Sequence, residues 1–214
     1  MSSAVARAAA VAVALALSGC PLRARAPLPP TREGEWALAR DASTRRAVLY
    51  DGLKHRATAT ATHLTLAARE ARARRLAEWL GWTPKELEDR LAQERADAAA
   101  GEEVLVAFFS ADPRWNDLDA PRSVWRIALK LEDTDLLAKR ATGLEPNATV
   151  GGLFPYVGPF DVVYRVTFPR APGGALDGRP FMLEIASALG KLTMDFGTAP
   201  SAPAVEPWQP VPAP

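Results

Sequence analysis

The 214-residue sequence holds one cysteine, Cys20, and two histidines, His55 and His63. A lone thiol excludes an intramolecular disulfide and any metal cluster built on several cysteines. An excess of one charge is also missing: 26 Lys and Arg stand against 25 Asp and Glu, without the basic surplus that nucleic-acid binding asks for. No apolar run reaches the ~20 residues of a membrane-spanning helix. The chain contains no glycine-rich phosphate loop, no HExxH and no GxSxG.

What is present begins with Arg7, an apolar run over 8–17, and then Leu17-Ser18-Gly19-Cys20. The run has the length of a secretory signal core. Small-small-Cys directly after it resembles the lipobox of bacterial lipoproteins, over the first twenty residues only. The resemblance implies a lipoprotein signal peptide at 1–19, export, cleavage before Cys20 and a lipid on its sulfur. In that class an aspartate after the cysteine marks retention at the inner membrane. Here Pro21 stands in that position, which points to a lipid anchor in the outer membrane of the cell envelope. Cleavage removes only Arg7 from the 26 basic side chains, leaving 25 of each sign.

Residues 20–34 read as a tether, since Pro21, Pro27, Pro29 and Pro30 lack an amide donor and fix φ. At ~3.1 Å per residue it extends on the order of 40 Å. Residues 198–214 read as a disordered tail, with six prolines and Trp208 but no apolar periodicity. A single domain over 35–197 remains, long enough for a real core.

Within it, Asp51-Gly52 separates two strand-like runs as a tight hairpin does. The second run sets Ala57, Ala59 and Ala61 on one face and Thr58, Thr60 and Thr62 on the other. Leu66, Ala73, Leu76, Ala77 and Leu80 recur at helical spacing up to Gly81, and Thr83-Pro84-Lys85-Glu86 starts a second helix that ends near Gly101. Leu87 and Leu91 give that helix a core-facing edge, with Lys85/Asp89 and Glu86/Arg90 as surface pairs. Strands are expected at 104–110, 123–131, 136–142, 162–168, 181–187 and 192–196, the last two joined by Ala188-Leu189-Gly190. The fold class is therefore mainly β (α+β): an antiparallel β-sandwich, immunoglobulin-like in architecture, with a two-helix insertion at about 66–100.

Candidate chemistry is sparse. His55 and His63 are eight residues apart on one strand, ~26 Å at ~3.3 Å per residue, so they share no ion, and each reads as a surface or rim residue. Asp112, Asn116, Asp117 and Asp119 form an oxygen-rich loop that is a Ca²⁺ candidate, although its spacing is not that of an EF-hand and Asx residues cap turns unaided. No other metal and no cofactor is expected. Asp117, Asp119, Glu132 and Glu184 are the carboxylates a glycosidase would draw on. Arg69, Arg72, Arg74 and Arg75 crowd one helix and form a candidate contact for anionic lipid head groups. The loop 151–160 carries Phe154, Tyr156 and Phe160 as a candidate partner-binding surface. Asn147-Ala148-Thr149 matches a glycosylation acceptor by chance. The sequence thus points to a membrane-anchored, non-catalytic binding or assembly module with an envelope protein or glycan as partner. A carboxylate-based hydrolase of envelope polysaccharide is the alternative.

Overall fold

Asp51 and Gly52, the latter at φ 59°, turn the chain between β1 (Thr44–Asp51) and β2 (Lys54–His63), which pair antiparallel. The computed structural model describes residues 34–145 and 147–197. Cys20, the tether up to residue 33, and the tail with Trp208 lie outside the described residues. After β2 come α2 (Leu66–Leu80), α3 (Pro84–Ala100) and β3 (Gly101–Ser110). Then follow β4 (Arg126–Lys130), β5 (Asp135–Leu137), β6 (Arg140–Leu144), α4 (Ala148–Leu153), β7 (Val162–Pro169), β8 (Met182–Ser187) and β9 (Gly190–Asp195). A further helix, α1 (Gly34–Ala42), precedes β1.

The strands form two antiparallel sheets, ordered β1-β2-β3-β7-β6 and β5-β4-β8-β9. Their facing sides share one core. Ala57, Ala59 and Ala61 of β2, Val104, Val106 and Phe108 of β3, and Tyr164, Val166 and Phe168 of β7 meet Ile127, Leu129, Leu183, Ile185, Leu192 and Met194 of the second sheet. The alanines read on one face of β2 all face this core. In β3 both faces are covered, its residues from Glu102 to Phe108 all being buried. The reason is a third layer: Leu105 and Val163 on the other face of the first sheet pack against Trp36, Leu64, Ala68, Ala71, Leu153 and Phe154.

The helices at 66–100 are not alone on that face of the sheet. α1 and α4, neither expected from the sequence, belong to the layer alongside α2. Trp36 anchors α1, its indole N–H donating to the Leu153 carbonyl at 3.0 Å. Asn147 caps α4 by accepting from the Val150 amide at 2.9 Å, which gives the apparent glycosylation triplet a structural use. α2 stops at Gly81, which takes the left-handed conformation at φ 64°, and α3 opens with a capping box between Thr83 and Glu86. Glu86 is engaged in that box. Arg90 instead bonds Glu94, while Lys85 and Asp89 pair at 2.9 Å as expected.

The strand expected at 136–142 is two strands in different sheets. Ala138 donates its amide to Ile127 in the second sheet at 3.0 Å, and the next residue, Lys139, donates to Thr167 in the first at 2.8 Å. One covalent bond thus carries the chain across the sandwich, as at the corners where strands switch sheets.

Candidate functional site

At one end of the sandwich, where β2 finishes and β3 begins, His63, Glu102 and Asp177 converge. His63 is the last residue of β2, on the same face as the core alanines, and its ring meets Phe181 edge-on at 5.1 Å and Phe196 at 6.2 Å. Its Nε2 lies 3.0 Å from Glu102 Oε2. His63 is 3% exposed and Glu102 5%, so the reading of His63 as a rim residue is corrected: its strand end is roofed by the 170–181 segment. Glu102 Oε1 accepts the Leu176 amide at 3.1 Å, and Asp177 Oδ2 accepts the Leu66 amide at 3.1 Å. One ligand atom from each of the three side chains falls within 4.8 Å of the others. Glu102 and Asp177 also form part of the wall of a cleft of about 200 Å³, together with Leu66, Arg95, Ala98 and Arg170. Arg170 closes this end by donating to the carbonyls of Ala98 and Ala99 at 2.9 and 3.2 Å, at the C-terminus of α3.

The sequence offered no signal for this trio, since its members come from three distant segments. His63 and Glu102 are separated by 39 positions and meet only because β2 and β3 pair. His55, on the same strand, bonds Thr58 Oγ1 at 2.8 Å and stacks on Phe109, far from the trio.

The arginine cluster of α2 divides, two of its members turning inward and two lying at the surface in ion pairs. Arg69 and Arg72 are buried; Arg69 lies 3.3 Å from Glu94 and 3.1 Å from Glu103, and Arg72 lies 3.0 Å from Glu94. Arg74 pairs with Glu35 and Glu70, and Arg75 pairs with Glu78 while covering the Trp79 ring at 4.8 Å. Meanwhile Leu66 and Leu80, the first and last apolar positions of the helical spacing, are exposed. Burying two guanidiniums is tolerable only because Glu94 and Glu103 accompany them.

The oxygen-rich loop does not gather its acids around one point. Asp112 binds Arg114, Asn116 accepts the Ser110 amide at 2.6 Å, Asp117 accepts Ser123 Oγ at 3.2 Å, and Asp119 accepts the Gly143 amide at 3.2 Å. Asp112, Asn116 and Asp117 therefore hold local turns, as Asx residues do, and Asp119 ties the loop to β6. In the aromatic loop, Phe154 is 2% exposed and packs edge-on to Trp36, and Tyr156 donates to or accepts from Thr62 Oγ1 at 2.6 Å. Burial pushes the Tyr156 hydroxyl well above its ordinary value. Two of the three rings are thus part of the helical layer, and only Phe160 is presented to solvent.

A second concavity, of about 520 Å³, opens beside the strand switch. Arg126, Lys139 and Arg140 line it, and among the described residues none of the three has a carboxylate partner. Asp119 is the single carboxylate of its lining. No family model, curated protein or solved structure matches this chain.

Proposed function

We propose that the chain is a lipoprotein of the bacterial cell envelope, held in the membrane by a lipid on Cys20, whose folded domain is a non-catalytic binding or assembly module. The observation that carries this reading is Leu17-Ser18-Gly19-Cys20, which ends the apolar run and contains the only cysteine. The outer membrane is the proposed location, from Pro21. In the sequence, residues 20–33 with four prolines lie between Cys20 and the described helix that begins at Gly34. The domain itself is proposed to be immunoglobulin-like in layer architecture alone, its strand orders being its own.

The test of the anchor is Cys20→Ser. The wild type is expected in the membrane fraction with the mass of a lipid-modified chain lacking 1–19, and the variant without that lipid mass and without cleavage before position 20. A wild-type chain with no lipid mass on Cys20 would sink the lipoprotein reading.

For the partner, the cleft with Arg126, Lys139 and Arg140 supports an anionic envelope glycan, since three unneutralised cations around one concavity attract polyanions. Hydrolysis through paired carboxylates draws less support there, with Asp119 alone in the lining. Arg126→Ala combined with Arg140→Ala is expected to weaken binding to alginate, a soluble uronic-acid polymer, by about two- to thirtyfold, from two exposed charge contacts of about 0.2–1 kcal/mol each. Equal retention of both proteins on an alginate column across a salt gradient would refute the cleft's role.

A further inference from the structure

We infer that His63, Glu102 and Asp177 bind one divalent transition-metal ion, with zinc the best match. Their ligand atoms already lie within 4.8 Å of one another, and His63 Nε2 and Glu102 Oε2 are 3.0 Å apart. Ligands held at ~2.0–2.2 Å around a tetrahedral zinc are about 3.3–3.5 Å apart. Closing the trio on an ion therefore needs side-chain shifts on the order of 1 Å, without backbone movement.

The donor set selects the ion. One imidazole and two carboxylates suit zinc and its first-row neighbours. Calcium asks for six to eight oxygens and magnesium for an octahedron that keeps its waters, and neither fits beside two buried ligands. The ligands are also oriented from behind. The Leu176 amide holds one oxygen of Glu102, the Leu66 amide holds one oxygen of Asp177, and Phe181 and Phe196 fix the His63 ring. Each carboxylate keeps its second oxygen clear of backbone donors, the arrangement in which outer contacts aim a ligand at its metal.

Charge supplies a separate reason. Three arginines line the adjoining cleft, yet Arg69 goes to Glu94 and Glu103, Arg95 to Glu70, and Arg170 to the carbonyls of Ala98 and Ala99. Among the described residues neither Glu102 nor Asp177 has a lysine or arginine partner. Two adjacent carboxylates so left, one of them buried, are matched in charge by one doubly charged cation, the ligating imidazole being neutral. Because both carboxylates form part of the cleft wall, solvent reaches the remaining coordination position, where Arg95 and Arg170 flank any anionic co-ligand.

The experiment is equilibrium dialysis and calorimetry with Zn²⁺ on the full chain, free of any histidine tag and carrying Cys20→Ser so that the thiol cannot compete. One ion per chain is expected, with Ca²⁺ and Mg²⁺ failing to displace it. Asp177→Asn alters an exposed side chain and leaves the core intact; it is expected to weaken Zn²⁺ binding at least tenfold with an unchanged circular dichroism spectrum. His63→Gln is expected to abolish binding, with thermal unfolding recorded alongside. Absence of Zn²⁺ binding to the parent chain overturns the inference, as does undiminished binding in Asp177→Asn or preferential binding of Ca²⁺. The inference does not depend on the lipid anchor.

Discussion

Glu94→Ala is expected to lower the free energy of unfolding by about 3–5 kcal/mol, the cost of removing one partner from a buried ion network. Glu94 is 1% exposed and is the one buried residue of α3. Its two oxygens serve three guanidiniums: Arg69 at 3.3 Å, Arg72 at 3.0 Å and Arg90 at 2.6 Å. Alanine leaves Arg72 buried without a bonded anion and gives Arg69 only Glu103. Since domains of this size are stable by about 5–15 kcal/mol, the loss is a large share of the whole. Denaturant unfolding followed by circular dichroism measures it. A change below about 1 kcal/mol would mean that the arginines escape to water when Glu94 is removed.

The same carboxylate leaves a mark on the acid limb. Burial raises its proton affinity, but Arg72 and Arg90 outweigh that and hold it below the ordinary value of 4.5. A folded-state value below the unfolded one means that the contribution is complete above the unfolded value and is lost as pH falls through the folded value. Glu94→Gln should therefore flatten the decline of stability on the acid side of pH 4.5 relative to wild type.

Trp36→Ala is expected to cost about 3–5 kcal/mol, the range for truncating a large buried aromatic. Trp36 is 2% exposed, donates to the Leu153 carbonyl, and meets Phe154 edge-on at 5.4 Å. Through these contacts one residue fastens α1 and α4 over Leu105 and Val163. Leu38, on the same helix and 77% exposed, provides the control: Leu38→Ala should change stability by about 0.5 kcal/mol or less. Equal effects of the two substitutions would contradict the anchoring role of the indole.

Local signals carried much of the architecture. Asp51-Gly52, Gly81 and the Thr83 to Glu86 box are chemistry of adjacent residues, and each stands at the boundary it announced. The alternations in β4 and β7 also speak for themselves, because a half-buried strand writes its two faces into its own sequence. What escaped depends on distant partners. Nothing within 136–142 distinguishes one strand from two that bond to opposite sheets. α1 buries one large apolar side chain, Trp36, beside Arg40, so its amphipathic stripe is too thin to read before Leu153 and Phe154 are known to be opposite. Arg69 and Arg72 look like a solvated face until Glu94 and Glu103 arrive from another helix and a strand. His63 gains its chemistry the same way, from a strand and a loop that the hairpin sequence never mentions.

The strand switch at Ala138 and Lys139 has a bearing on ligand capture. Lys139 and Arg140, two of the three cations of the larger cleft, sit at the crossing, with the chain pinned to Ile127 on one side and Thr167 on the other. Their backbone is therefore fixed by the fold itself. Under the proposed glycan role, binding an anion there would confine only side-chain rotamers, about 0.5–1.5 kcal/mol per immobilised side chain, instead of freezing a loop. An extended polymer held on such a preorganised surface would surrender little entropy at each contact.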